Sequence, residues 1–360
     1  MSSSSSTAEI DSHAGEILNF LPATRKSPLL CRNSRKRYRC DENIKWGENI
    51  VKSNSEKFYE GFQRFLAEQG NEESSEAEMD ALMQQYVTML NAGDVSLEPM
   101  QDEESADAFL ERAQEAGSRR EMLKWIRKAR ELEPDHVDAA LMEIEETSKN
   151  PYEQEMRLFE LQQKAEKQLR EQGYFRKASI GDFWGLIETR PYMRVCQTYV
   201  GTLLMNRKMR LAAKACESML RLCKNDNLGM RYTLIHLYVY LEEEQAAHKL
   251  FGAYEGGWGT RFPLAMALLS YKQGKEEMAQ KYLQVLLNNN KDTKKFFSAY
   301  GTKKLGEYAS KMQPYAYRPN SIEELLLMLA EHDYVYDSAH AFFFWAKGAI
   351  RVMKKEKVTG

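Results

Sequence analysis

Apolar residues recur along this chain mainly at helical spacing. From Glu48 to Gln69 the residues Val51, Phe58, Phe62, Phe65 and Leu66 fall three and four apart along one side, and Gly70 suits a C-terminal stop. A second helix is expected from Ser75, with Ala77, Ala81, Leu82, Tyr86 and Met89 on one side and "NAGD" closing it. From Ser105 onward one helical pattern follows another, broken at "EAGSRR", "ELEPDH", "KNPYEQ" and "REQGYF". Asn150 and Pro151 make an N-cap and N1 pair, after which Leu158, Leu161, Ala165 and Leu169 form one stripe ending before Gly173. No segment sustains the period-two alternation of a half-buried strand, so the expected class is all-α.

The pattern also repeats. Cut at Arg190, Lys224 and Trp258, the chain yields three 34-residue blocks beginning "RPYMRVCQ", "KNDNLGMR" and "WGTRFPLA", the period associated with tetratricopeptide repeats. Inter-helix turns are expected in register at Asn206, Tyr240 and Gly274, and Ala212, Ala246 and Ala279 open the second helices where close packing demands a small side chain. Upstream, Pro134 ends one helical pair and Val137 to Glu146 starts the next. The expected architecture is a stack of antiparallel helical hairpins forming a tetratricopeptide-like right-handed solenoid with a small N-terminal extension. On that frame the first helices project Met193, Asn227, Arg261, Tyr238, Tyr271 and Lys272 toward the concave side.

Composition narrows the function classes. A chain of 360 residues is long enough for a large core or two ordinary domains, and its net charge of -2 gives no overall pull toward nucleic acid or membrane. The serine run at the start lacks a basic and an apolar signal-peptide region, and the apolar run Ala341 to Ala346 is far short of the ~20 residues of a membrane helix. Five scattered cysteines do not make a disulfide framework, which points to a reducing, cytoplasmic compartment. The expected division is a disordered tail over 1–24, a basic segment over 25–45, N-terminal helices and an acidic linker over 46–104, the repeat domain over 105–350 and a basic tail over 351–360. The acidic residues between Asn71 and Glu111 are a plausible counterpart for the basic segment, although a solvated helix face and linker is the more ordinary reading.

Within the basic segment, "PLLCRNSRKRYRC" followed by Asp41 resembles the SEC-C motif, a short zinc-binding module of the type found at the C-terminus of the SecA translocation ATPase. Pro28, Cys31, Lys36, Arg37, Tyr38 and Cys40 fall on the motif's positions, and Ser34 lies one place off its serine. Leu29 and Asp41 stand where two of the four expected ligands belong, so Cys31 and Cys40 are left as a degenerate pair, and no cofactor is expected. The stretches "GDFWGLIETRPYMRV" and "LRLCKNDNLGMRYTLIHLYV" resemble a group of bacterial tetratricopeptide-like proteins that often carry a SEC-C module. That resemblance, from about Ser105 to Tyr317, implies a helical-repeat fold and an interaction role more than a reaction.

Read as chemistry, Thr189 before Arg190 and Pro191 places a capping hydroxyl near a helix start, and Asp226 or Asn227 can cap the following repeat. Glu188, Arg190, Arg194 and Arg231 form either a charge network between hairpins or guanidinium forks for a carboxylate or phosphate on a partner; cap chemistry favours the structural reading. No phosphate-binding glycine motif and no H-E-x-x-H occurs. His332, Asp333, Asp337 and His340 in "EHDYVYDSAH" lie close together on one expected helix, but histidines two turns apart, ~12 Å, do not share one ion. They read as a solvated polar stripe opposite Phe342, Phe344 and Trp345.

The leading expectation is a non-enzymatic scaffold or adaptor binding a protein or peptide through Arg190, Tyr192, Arg194, Asn227, Arg231, Tyr238, Arg261, Tyr271 and Lys272. A nucleic-acid-associated protein using Arg35, Lys36, Arg37, Tyr38 and Arg39 is the alternative, followed by an enzyme without a recognisable motif. Mass spectrometry of protein purified without a histidine tag is expected to find no zinc. One zinc per chain, lost in a Cys31→Ser, Cys40→Ser variant, would reinstate the metal site.

Overall fold

The computed structural model describes residues 54–69, 76–95, 104–254, 259–312 and 317–353. The tail over 1–24, the basic segment with Arg35 to Arg39, Cys31 and Cys40, and residues 354–360 lie outside them. Among the described residues the protein is all-helical, with seventeen α-helices and no β-strand. The described residues up to Arg207, with Arg221–Asn227, form one compact unit. Lys208–Leu220 and the described residues from Leu228 onward form a second.

In the first unit, α1 (Asn54–Gln69) packs on α2 (Glu76–Ala92) through Phe62, Phe65, Leu66 and Tyr86. Gly61 is needed there because a Cβ would sit 2.0 Å from the Tyr86 hydroxyl oxygen. Hairpins follow: α3 (Ala106–Glu115) with α4 (Arg119–Leu132), then α5 (Val137–Thr147) with α6 (Pro151–Glu171), while α5 also packs on α7 (Arg190–Met205). Each break carries its cap. Ser105 accepts from Ala108 N, Ser118 from Glu121 N and Asn150 from Glu153 N, each such bond contributing about 1 kcal/mol. The Nδ1 of His136 takes the same role for α5, with Ala139 N as donor, leaving Nε2 facing Asp107 at 3.0 Å. Phe109, Leu110, Ile126, Leu141, Leu158 and Val195 make the shared core.

The second unit holds most of α8 (Met209–Leu222), then α9 (Met230–Leu241) with α10 (Glu244–Ala253) and α11 (Arg261–Lys272) with α12 (Glu276–Asn289). Five shorter helices follow: α13 (Thr293–Ala299), α14 (Lys303–Ala309), α15 (Ile322–Glu331), α16 (Asp333–Tyr336) and α17 (His340–Val352). The first helices α9 and α11 lie side by side, each also packed on the helix that follows it.

The repeat register differs from the expected one in its middle block. Left-handed residues mark the three turns, Arg207 (φ 57°), Glu242 (φ 59°) and Gly274 (φ 72°), thirty-five and thirty-two residues apart. Five residues after each comes a fully or nearly fully buried alanine, Ala212, Ala247 or Ala279. Their amides bond the carbonyls of Lys208, Glu243 and Lys275 respectively. Tyr240 is therefore helical and Ala246 only half-buried: Tyr240 has no turn chemistry, and α9 continues until Glu242 takes the left-handed conformation and Glu243 N closes on Tyr238 O at 2.9 Å. Side-chain bonds join neighbouring blocks near the starts of their second helices, Arg210 to Glu243 at 2.9 Å, Lys275 to Glu244 and Tyr282 to His248 at 3.3 Å. Ala247→Leu should cost about 1–3 kcal/mol by overpacking, whereas Ala246→Leu should leave the urea midpoint nearly unchanged. The reverse order would return the register to Ala246.

Candidate interaction surface

Four charged side chains meet inside the first unit. Arg194 of α7 holds Asp138 of α5 with two bonds, Nε to Oδ1 at 2.9 Å and Nη2 to Oδ2 at 2.5 Å, and reaches Glu56 of α1 at 2.8 Å through Nη1. Arg190 approaches the other Glu56 oxygen at 3.4 Å and donates from Nε to Trp184 O. All four are buried. Burial pulls the Arg194 guanidinium down, but the Asp138 and Glu56 carboxylates outweigh it and hold its pKa above the ordinary value. Two positive and two negative groups make a neutral set, and removing one member of such a buried pair typically costs about 3–5 kcal/mol.

The segment before α7 is tied down in the same unit. Gly181 N and Phe183 N donate to Leu222 O, and Lys224 N donates to Gly181 O at 2.8 Å. Phe183 is packed against Phe175 and Tyr192. Gly185 lies so close to Asp182 that a Cβ would meet its carboxylate at 2.4 Å. Thr189 does not cap α7; its hydroxyl donates to Phe183 O and Leu186 O. Asp226 and Asn227 likewise do not cap α9, which begins at left-handed Gly229, while Asn227 Oδ1 accepts from the Cys223 thiol. The Cys196 thiol receives Gln162 Nε2 at 3.2 Å, and burial pushes its pKa up to about 12, so it is a packing group.

In the second unit the faces expected to line a groove are covered. Thr233 to Val239 on α9 and Phe262 to Ser270 on α11 are buried without a break, so each helix is enclosed all round. The cover comes from the C-terminal helices: α16 packs on α9 and α17 on α11. His236 stacks on His332 with ring centroids 3.7 Å apart and meets the Tyr336 hydroxyl at 2.9 Å. Tyr271 packs against Phe342 and Trp345 at 5.5 and 5.0 Å. Buried Asn290 donates to Thr260 Oγ1 and Ser321 O, and Thr260 donates to Glu324, fastening the start of α15 beside α11.

The residues expected on the concave side, at a partner or in the charge network are thus divided. Met193, Arg190, Tyr192, Arg194 and Tyr238 are buried. Arg261 pairs with Glu331, Lys272 with Glu242 at 3.0 Å, and Arg231 lies over the Tyr232 ring at 4.4 Å. Asn227 is exposed, and Glu188 stays outside the charge cluster. The expected polar stripe does not form on one helix: His332 falls between α15 and α16, is buried, and His340 starts α17 with Nδ1 2.8 Å from the Tyr300 hydroxyl. The local break after Glu331 turns these groups apart. Among the described residues no group of three or more His, Cys, Asp or Glu is placed to hold a metal ion, and no helix is long and apolar enough to cross a membrane.

One uncovered apolar face is absent from the residues that the sequence singles out. Tyr152, Met156 and Phe159 recur at i, i+4 and i+7 on α6 and are 67%, 42% and 45% exposed, with Phe159 beside Tyr199 at 6.1 Å. Their helical spacing is legible, but Leu158, Leu161 and Ala165 already account for the helix's apolar side. Single exposed apolar residues are ordinary; three in line on one helix are not scatter. Compared with protein-family models, curated proteins and solved structures, the chain matches none of them.

Burial lowers the His236 pKa from 6.5 to about 3, with Arg261 opposing its charge as well. The unfolded chain therefore takes up a proton there that the folded chain refuses. This contribution to stability is complete above about pH 6.5 and is lost as pH falls toward 3, with a limiting slope of about 1.4 kcal/mol per pH unit. Urea midpoints measured at neutral and mildly acidic pH should fall together with pH in the wild type and fall less in His236→Gln. Equal slopes in the two would remove the assignment.

Proposed function

We propose that this protein is a non-enzymatic scaffold or adaptor of tetratricopeptide-like hairpins, related to the bacterial repeat proteins with a SEC-C module that its sequence resembles. Its partner is a protein, docked on the outer face of α6. The observation that carries this reading is the Tyr152, Met156 and Phe159 stripe, two turns or ~10 Å long. Its i, i+4, i+7 spacing suits the apolar face of a partner helix. Glu153 and Arg157 beside the stripe are engaged with Lys149 N and with the Thr147 and Ser148 hydroxyls, so the rim is polar and held in place.

The functional residues named from sequence are reassigned within this reading. Arg190 and Arg194 shape the hairpin stack, and Tyr271 and Arg261 hold the C-terminal cover. A photo-crosslinking amino acid at Tyr152 in the source cell should yield one discrete protein adduct, abolished by Met156→Glu with Phe159→Glu while the melting temperature stays within a few degrees. Absence of any adduct, or adducts indifferent to the substitutions, would defeat the proposal; adducts to a second copy alone would replace the adaptor with a homodimer.

A further inference from the structure

Among the described helices α4, in the stretch "SRREMLKWIRKAREL", carries the largest net charge. Six of its residues are basic, and two of these are used internally, Arg119 with Glu146 and Arg130 with Glu143, both at 3.4 Å. The other four, Arg120, Lys124, Arg127 and Lys128, follow one another at i, i+4, i+7 and i+8, which places them on one face. Arg120, Lys124 and Arg127 are exposed and Lys128 is half-buried. None of the four has a carboxylate within 4 Å among the described residues; exposed Glu121 borders the face beside Lys124, and exposed Glu131 lies at its C-terminal end.

The face is organised around an indole. Half-buried Trp125 stacks on Phe109 at 5.8 Å, and three cations surround its ring: Lys124 at 4.9 Å, Lys128 at 5.0 Å and Arg112 of α3 at 5.4 Å. Their charges accordingly lie within about 10 Å of one another. Cation–π attraction accounts for the position of each nitrogen near the ring. It does not account for Arg120, Lys124 and Lys128 in succession at i+4 spacing, an arrangement that by itself destabilises a helix.

We infer that this face binds single-stranded nucleic acid, with Arg120, Lys124 and Lys128 on successive phosphates, Arg127 beside Lys128, and the Trp125 edge beside a base. Four residues of α-helix advance the charge by ~6 Å, of the order of the distance between consecutive phosphates in a strand. A linear polyanion therefore meets one cation after another, whereas a single carboxylate or phosphate group uses only part of the row. A membrane surface fits less well, because an inserting helix needs a row of exposed apolar side chains, and on α4 Leu132 alone is exposed while Ile126 and Ala129 are in the core and Met122, Leu123 and Trp125 are half-buried against it. The helix is also packed against α3 and α5, which leaves one face open rather than a protruding rod for a duplex groove. The surface is independent of the α6 stripe and of the basic residues Arg35 to Arg39.

The test is fluorescence anisotropy of short labelled oligo(dT) and oligo(rU) with the full chain, titrated at several salt concentrations. The wild type should bind one or both probes. Lys124→Glu with Lys128→Glu should weaken binding by at least about tenfold, and the slope of log K against log salt should shrink by about 0.7 for each phosphate no longer neutralised. The neutral pair Lys124→Gln with Lys128→Gln, which avoids new repulsion, should give a smaller loss in the same direction. Lys281→Glu with Lys304→Glu, exposed residues of the second unit, should change affinity by less than about twofold after the same change in net charge. The inference is overturned by no binding in the wild type, by equal loss in the control pair, by unchanged binding in both α4 variants, or by tighter binding to duplex DNA, polyglutamate or anionic vesicles. A preference between the two oligonucleotides identifies DNA or RNA as the ligand.

Discussion

A helical hairpin buries one face of each helix against its partner, and stacking hairpins in a row buries a second; the first helices are then left with an inner face that something must cover. In this protein the chain covers it from its own sequence. In the first unit the inner positions of α5 and α7 carry Asp138, Arg190 and Arg194, and α1 supplies Glu56, so the enclosed set is neutral. An odd charge there would not be tolerated, because ions removed from water need both a counter-ion and hydrogen bonds to remain charged. In the second unit the same place on α9 and α11 is filled by rings, His236 against His332 and Tyr336, and Tyr271 against Phe342 and Trp345. One unit solves the problem with charge and the other with aromatic packing.

This arrangement decides which helix faces stay open. With α5, α7, α9 and α11 enclosed, both proposed surfaces lie on second helices of hairpins: the apolar stripe on α6 and the cationic face on α4. Loops and caps fix these helices in place rather than taking part. Asn150 sets the start of α6, and Ser118 sets that of α4. The "GDFWGLIETRPYMR" stretch belongs to the supporting structure as well, since Phe183, Thr189, Arg190 and Arg194 all point into the first unit.

Helix positions are legible because their signals are local: Asn150 with Pro151, the alanine five residues beyond each turn, and Gly173 at the close of α6 all act within one or two turns of chain. The middle repeat slips because a fixed 34-residue ruler misses a long step followed by a short one, and only the left-handed Glu242 marks the true turn. The covered groove does have a sequence signal. "MRYTLIHLYVYL" and "RFPLAMALLSYK" are apolar on every side, and a helix of that kind is enclosed rather than lining an open surface. Glu56 and Asp138 are not legible as partners of Arg194, since nothing local links residues so far apart. The "SRREMLKWIRKAREL" face is visible in letters alone but lies outside the 34-residue blocks in which the repeat pattern is sought.

The covers also impose an order on folding. Hairpins close over short stretches of chain, whereas His236 waits for Tyr336, 100 residues downstream, and Arg194 closes with Glu56, 138 residues upstream. At ordinary rates of synthesis, the chain between His236 and Tyr336 takes about 5–20 s to appear, and for that interval the aromatic face of α9 has no lid. The first unit has its acidic cover in hand before Arg194 is made, while the second emerges with its inner face bare. The two units are therefore unequal in birth: one closes as it is translated, and the other depends on α16 and α17 arriving before a neighbouring chain does.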